Sequence, residues 1–147
     1  MTSKIAKIVW AEDDPADRVL IKRAMRQAKV TSNPKFFDDG FGLLQYLKNE
    51  GEYTDRRIAP RPDMILLDLN MPRLDGRRVL GVLAEDHDLR RIPVIVVTTS
   101  GDPVDVMSSY DLGANSYITK PQTFDELVET VKTIEDYWVR LCMLPMA

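Results

Sequence analysis

Five short apolar segments alternate along this chain with segments of helical periodicity, and this alternation constrains the fold more than any other feature. The apolar segments are rich in valine and isoleucine, and several lack the polar alternation of a strand with one face in water. Such segments are typical of parallel strands that helices cover on both faces. We predict strands over residues 5–11, 35–38, 63–67, 93–97 and 116–118.

The segments between the predicted strands carry helix start signals. Asp14 can cap the first helix because Pro15 follows it at the first helical position. Thr123 opens a capping box for the fifth helix. The second helix is predicted over residues 40–49, and the third and fourth begin at Asp75-Gly76 and Asp102-Pro103. The resulting (βα)₅ order predicts an α/β fold with a doubly wound parallel five-stranded sheet.

The composition argues against several classes of protein. The 147 residues fit one domain over 1–147, with a core at about residues 5–135 and an extended C-terminal helix and tail at 136–147. A net charge of −3 and a pI near 5.2 argue against binding to nucleic acid. No segment resembles a signal peptide or approaches the roughly 18 apolar residues of a membrane span. Because Cys142 is the sole cysteine, we expect no internal disulfide and a cytoplasmic location.

Polar side chains follow four of the predicted strands. Glu12 and Asp13 end the first strand, Asp68 the third, Thr98 the fourth and Lys120 the fifth. The carboxyl ends of parallel strands share one edge of the sheet, so we expect these side chains to converge despite their wide separation in sequence.

The chemistry of this set suits a divalent cation and a phosphoryl group. Asp13 and Asp68 could bind Mg²⁺ directly, and Glu12 could act through water, since Mg²⁺ prefers oxygen ligands and keeps several waters. Asp68 could also attack phosphorus to form an acyl phosphate. The cation, the Lys120 ammonium and the Thr98 hydroxyl would then each neutralise one oxygen of the transferred group.

Taken together, these motifs resemble a response-regulator receiver domain of the CheY type, over nearly the whole chain. The spacing agrees as well, since Thr98 follows Asp68 by 30 positions and Lys120 follows Thr98 by 22. The resemblance predicts a flavodoxin-like sheet with strand order 2-1-3-4-5. The motifs that carry it are Glu12-Asp13, Asp68-x-x-Met71-Pro72-x-x-Asp75-Gly76, Thr98 and Tyr117-x-x-Lys120-Pro121.

The resemblance implies a phosphoacceptor site that depends on Mg²⁺. Asp68 would accept a phosphoryl group from a phosphohistidine on a partner sensor histidine kinase. Asp13, Asp68 and the backbone carbonyl of Asn70 would hold Mg²⁺, with Glu12 in support. Lys120 would contact the phosphoryl group. The domain would not be an enzyme in the usual sense, because it would promote only its own phosphorylation and dephosphorylation.

The resemblance also implies a conformational switch. Thr98 would move toward the phosphoryl group, and Tyr117 would turn inward into the space that Thr98 leaves. The surface around the fourth helix and fifth strand would change as a result. The bond between Lys120 and Pro121 would be a cis peptide, which proline makes accessible. No DNA-binding or catalytic output domain follows in the sequence, so we expect output through protein contacts or phosphate relay.

Apolar residues continue along the last helix beyond the point where a receiver normally ends. Their steps of 4, 3, 4 and 3 positions have the period of a helix–helix seam. We predict a homodimer through the last helix and tail, because apolar surface of this kind usually marks an interface. The insertion at 50–62 and the Tyr137-Trp138 ending resemble stand-alone receivers paired with bacterial phytochrome kinases. The seam residues are Leu127, Val131, Ile134, Trp138 and Leu141.

Other interpretations fit these residues less well. Taken singly, Asp68 could cap a turn and Thr98 or Tyr117 could be ordinary strand residues. A phosphatase of the haloacid-dehalogenase type also uses an aspartate nucleophile, but it would have a second aspartate two positions later, where this chain has Asn70. A histidine phosphotransfer protein would carry its histidine on a helical bundle, whereas His87 lies in an α/β pattern. A pseudo-receiver would lack the acceptor aspartate or the lysine.

Overall fold

The computed structural model describes residues 5–145, which form a parallel sheet with helices on both faces. The strands are β1 (Ile8–Ala11), β2 (Lys35–Phe37), β3 (Met64–Leu67), β4 (Val94–Thr98) and β5 (Ser116–Thr119). The helices are α1 (Pro15–Gln27), α2 (Gly40–Leu47), α3 (Gly76–Glu85), α4 (Pro103–Asp111) and α5 (Phe124–Ile134). Short 3₁₀ turns lie at Gly51–Tyr53 and Leu89–Arg91, and a π-helix at Glu135–Leu141 follows α5.

The strand order β2-β1-β3-β4-β5, with all neighbours parallel, confirms the predicted topology. The register aligns Ala11 with Leu67, Leu67 with Val96 and Thr98 with Thr119. The carboxyl ends of β1, β3, β4 and β5 therefore lie at one edge. The predicted first strand was too long at its start, because β1 and its register with β3 begin at Ile8.

Both faces of the sheet are buried, which explains the absence of polar alternation in the sequence. On β1, Val9 and Ala11 pack with α2 and α3, whereas Ile8 and Trp10 pack with α1 and α5. Each residue of β1, β3 and β4 is buried, while β5 at the sheet edge is only partly covered. The edge strand therefore depends on α4 and α5 for its cover.

Gly76 lets α3 begin close to the end of β3. A Cβ atom at this position would clash with the carbonyl oxygen of Asp68 and crowd the Cα atom of Leu69. The backbone N–H of Gly76 donates to the carbonyl of Leu69 at 2.9 Å, and Asp75 caps the helix by accepting from the N–H of Arg78 at 3.1 Å. The Asp75-Gly76 pair thus fixes the chain immediately after Asp68.

The C-terminal helix does not continue as the regular seam that the sequence predicted. It widens into the π-helix at Glu135, where the buried carboxylate accepts hydrogen bonds from the hydroxyls of Thr31 at 3.0 Å and Ser32 at 2.9 Å. The changed helical period leaves Leu141 exposed, whereas Trp138 is partly buried against the core formed with α1 and α5. Leu141, the last residue of the predicted seam, is thus open to solvent. None of the described helices could span a membrane.

Candidate functional site

Backbone hydrogen bonds extend the sheet past its strands and place the polar side chains at one edge. The N–H of Glu12 donates to the carbonyl of Phe37 at 2.9 Å, and that of Asp68 donates to Ala11 at 3.1 Å. The N–H of Lys120 donates to the carbonyl of Thr98 at 2.7 Å. The residues that follow β1, β3 and β5 are therefore held as firmly as the strands themselves. Thr98 is the last residue of β4 rather than the residue after it.

Asp68 lies at the centre of the site and is 3% exposed. Its Oδ1 accepts hydrogen bonds from the hydroxyl of Thr98 at 2.8 Å and from the backbone N–H of Asn70 at 3.1 Å. Its Oδ2 lies 2.9 Å from the ammonium of Lys120. Hydrogen bonds to both oxygens fix the plane of the carboxylate, and the buried Thr98 hydroxyl already touches it in this structure.

Lys120 connects three carboxylates. Its Nζ lies 2.7 Å from Oε1 of Glu12, 2.9 Å from Oδ2 of Asp68 and 3.0 Å from Oδ2 of Asp17. Burial alone would lower the pKa of Lys120, but the hydrogen bonds to Glu12, Asp68 and Asp17 outweigh it and raise the pKa. The side chain is therefore a permanent cation at neutral pH.

Asp17 is a member of the site that sequence reasoning missed. It lies in the first turn of α1, where an acid is expected simply because it complements the helix dipole. The sequence held one further signal. Asp17 comes one helical turn after the acids that end β1, so its side chain is expected near the same edge of the sheet. That signal is weak without knowledge of the angle between helix and sheet.

Glu12 is 1% exposed, and both of its carboxylate oxygens have partners. Oε2 accepts from the backbone N–H of Asp14 at 3.1 Å, and Oε1 pairs with Lys120. Burial raises the pKa of Glu12 above its ordinary value, and the hydrogen bond from Lys120 offsets part of that rise. Removing the lysine would leave a buried carboxylate without its counter-charge.

Glu12, Asp13 and Asp68 form an acidic cluster that fits a hard divalent cation. One oxygen from each lies within 4.8 Å of the others. Glu12 and Asp68 are buried, whereas Asp13 is more open to solvent, so an ion held here would keep access to water. An all-oxygen set with room for water matches the preference of Mg²⁺. Asn70 contacts Asp68 through its N–H, which places its carbonyl near the same edge.

A second group of side chains links the site to α3 and α4. The hydroxyl of Tyr117 donates to the carbonyl of Ser100 at 2.8 Å, and the hydroxyl of Ser100 donates to Asp105 on α4 at 2.6 Å. Asp105 also pairs with Arg77 on α3 at 3.0 Å. The bonds from Ser100 and Arg77 lower the pKa of Asp105, and burial raises that of Tyr117.

The peptide bond between Lys120 and Pro121 is trans, as is every peptide bond in the described part of the chain. The expectation of a cis bond from the family resemblance is therefore wrong for this structure. Trans is the lower-energy isomer for a residue before proline. The trans bond still allows Lys120 to reach Glu12 and Asp68.

The response regulator receiver domain model matches residues 8–132 of the chain. The chain belongs to this family. The response regulator Rcp1 of Synechocystis sp. is 39% identical over 140 residues, which are 95% of this chain and 93% of Rcp1. This membership gives no support to the alternative of a haloacid-dehalogenase phosphatase. The position of Asp68 also argues against that class, because Asp68 follows the third strand rather than the first.

Solved structures of response regulators superpose over almost the whole chain. The phosphorylated cyanobacterial phytochrome response regulator RcpA has 43% identity and a TM-score of 0.89, covering 97% of this chain and 100% of RcpA. The Mn²⁺-bound form of Rcp1 has 38% identity and a TM-score of 0.86, covering 96% of this chain and 99% of Rcp1. The chain is thus a response regulator receiver domain related to phytochrome response regulators.

Proposed function

We propose that this response regulator accepts a phosphoryl group on Asp68 from a sensor histidine kinase in a Mg²⁺-dependent reaction. The single observation that carries the proposal is the environment of the Asp68 carboxylate, which lies within 2.9 Å of both the Thr98 hydroxyl and the Lys120 ammonium. A hydroxyl and an ammonium can hold two oxygens of a transferred group. The chemistry is confined to phosphorylation and dephosphorylation of the protein itself.

Asp13, Asp68 and the carbonyl of Asn70 would bind the Mg²⁺, with Glu12 in support. A bound Mg²⁺ neutralises charge that develops on the transferred phosphoryl group. The acidic cluster of Glu12, Asp13 and Asp68 supports this assignment, as does the Mn²⁺-bound form of Rcp1. The protein contributes the fixed carboxylates, and Lys120 prevents their mutual repulsion before the ion arrives.

The switch would run through Thr98 and Tyr117. A phosphoryl group on Asp68 offers new acceptors for the Thr98 hydroxyl, which now bonds Oδ1 of Asp68. Movement of β4 at that point would act on the Tyr117–Ser100–Asp105 hydrogen bonds and thereby on α4. Output would be contact with a protein rather than with nucleic acid.

The partner kinase we propose is a bacterial phytochrome. RcpA is a phytochrome response regulator of cyanobacteria, and its likeness extends over 97% of this chain. We further propose one domain over 1–147 that acts in the cytoplasm, in keeping with the free thiol of Cys142. The exposed apolar side chains of Tyr137, Leu141 and Met143 support a homodimer through the last helix and tail.

Phosphorylation of wild type and Asp68→Asn with acetyl phosphate and Mg²⁺ tests the acceptor. Intact-mass analysis should show one added phosphoryl group on the wild type and none on the variant. Asp102→Asn is a matched control, because it changes an exposed helix-capping aspartate outside the site. Equal labelling of Asp68→Asn would assign the acceptor to another residue.

A further inference from the structure

The ammonium of Lys120 has three N–H donors, and three carboxylate oxygens lie within 3.0 Å of its Nζ. The acceptors are Glu12, Asp68 and Asp17, at 2.7, 2.9 and 3.0 Å. A phosphoryl oxygen that takes a hydrogen bond from this ammonium therefore competes with these carboxylates. We take Asp68 to stay next to the ammonium, because it carries the phosphoryl group, and the exchange then involves Glu12 or Asp17.

Glu12 and Asp17 differ in the free-energy cost of losing their contact with the Lys120 ammonium. The side chain of Glu12 is 1% exposed, so water could not take the place of the ammonium at its Oε1. The side chain of Asp17 is 35% exposed, so its oxygens can bond to water instead. An unpaired charge in the interior is far more costly than an exposed carboxylate that water can solvate. Asp17 is therefore the partner that Lys120 loses most easily.

The position of Asp17 on α1 also favours its release. Asp14 caps this helix by accepting from the N–H of Ala16 at 2.9 Å, and Pro15 occupies the first helical position. The amino end of a helix stabilises a negative charge in its first turn. The charge of Asp17 thus remains stabilised by the helix end after the ammonium of Lys120 has moved away. The capped helix end also keeps Asp17 in a position from which it can contact the ammonium again.

We propose that Asp17 is a positioning residue for Lys120: it holds the ammonium in the resting state and releases it to the phosphoryl group. This role rests on the proposed phosphorylation of Asp68. In that reaction an Asp68 oxygen forms a bond to phosphorus while the bond between phosphorus and the donor histidine nitrogen breaks, and the electron pair of the broken bond stays on that nitrogen. No proton passes to Asp17, whose contact with Lys120 is only exchanged for water.

The direction of the effect follows from this exchange. The contact between Asp17 and Lys120 stabilises the resting state alone, so its removal shifts the equilibrium toward the phosphorylated form. A partly exposed ion pair shifts such an equilibrium by about two- to five-fold. A variant without the Asp17 charge should therefore bind a phosphoryl mimic more tightly by that factor.

Berylliofluoride titration in the presence of Mg²⁺ measures the shift, with binding followed by the amide NMR signals of β4. We expect Asp17→Asn to lower the half-saturating berylliofluoride concentration about two- to five-fold. Asp17→Glu restores the charge on a longer side chain and should return to the wild-type value. Asp125→Asn is the matched control, because Asp125 is also an acid in the first turn of a helix next to Lys120 in sequence. The half-saturating berylliofluoride concentration of Asp125→Asn should equal that of the wild type.

The outcomes separate this role from the proposed function. A wild type that does not bind berylliofluoride would overturn phosphorylation of Asp68 itself. If the wild type binds and Asp17→Asn has the same half-saturating concentration, Asp17 has no positioning role. An equal shift in Asp125→Asn would also overturn the role, because the loss of any negative charge near the site would then explain the tighter binding.

A structure of the berylliofluoride complex gives a second measurement that is independent of affinity. We expect the Lys120 ammonium to lie beyond hydrogen-bonding distance of Asp17 and to keep its contact with Glu12. Retention of the contact with Asp17, or loss of the contact with Glu12 in its place, would contradict the proposed exchange.

Discussion

Lys120 is the positive centre of a group of acids, and its charge stabilises the fold as well as the site. Glu12 and Asp68 are both buried and both lie within 2.9 Å of its ammonium. A buried carboxylate without a counter-charge is strongly destabilising. The contacts with Lys120 therefore supply a counter-charge to two carboxyl groups in the interior of the protein.

The Lys120→Met variant should lose stability in a pH-dependent way. Glu12 has a raised pKa in the folded protein, so its contribution to stability is present at low pH and is lost as the pH rises through that value. Lys120 lowers the pKa of Glu12, so its removal raises that pKa further. We expect the free energy of unfolding at pH 7 to fall by about 3 kcal/mol, and the loss to be smaller at pH 5.

Urea unfolding in EDTA at both pH values measures this effect. Lys132→Met is the control, because Lys132 is exposed on α5, and we expect little loss at either pH. A loss for Lys120→Met that is the same at pH 5 and pH 7 would contradict the assignment of Glu12 as the titrating group.

At the scale of elements, the close approach of α3 to β3 depends on one glycine. Gly76→Ala should lower the free energy of unfolding by about 1–3 kcal/mol, because its Cβ would displace the backbone at Asp68. Gly81→Ala in the same helix should raise it by about 0.5–1 kcal/mol, since no atom lies within 4 Å of that Cβ. Denaturant unfolding compares the two. Equal effects would mean that helix propensity, rather than contact with β3, determines stability here.

The π-helix depends on the buried carboxylate of Glu135. Glu135→Ala would leave the buried hydroxyl of Ser32 without its partner, at a cost of about 1–3 kcal/mol. Hydrogen exchange should become faster over 135–144 in this variant and stay slow in β3. Asp136→Ala changes the exposed neighbouring acid and should leave the exchange pattern intact. Unchanged exchange in Glu135→Ala would show that apolar contacts alone hold this segment.

At the scale of the whole molecule, the exposed apolar side chains of the tail predict self-association. Leu141→Glu should weaken the proposed dimer, because Leu141 is 73% exposed and a charge there would oppose burial in an interface. Ile58→Glu is a matched control, since Ile58 is 69% exposed but lies in the loop before β3. Sedimentation velocity with and without berylliofluoride measures the oligomeric state. A wild type that stays monomeric at high concentration in both conditions would rule out the dimer.

The fold and most of the site could be predicted from the sequence because strand ends in a parallel sheet share an edge. That rule, with the spacing of Asp68, Thr98 and Lys120, was enough to bring distant side chains together. The contact of Asp17 with Lys120 could not be predicted, because it depends on where the first turn of α1 lies relative to the end of β5. The π-helix could not be predicted either, since Glu135 at its start contacts a loop about a hundred residues earlier in the sequence.

The order of the site along the chain has a consequence for protein synthesis. Asp68 leaves the ribosome long before Lys120, and Lys120 is positioned only when β5, the last strand, joins the sheet. In a chain that ends before β5, the proposed acceptor Asp68 would lack its contact with the Lys120 ammonium. If Asp68 accepts a phosphoryl group as proposed, the ability to be phosphorylated would therefore report that a copy has been completed and correctly folded.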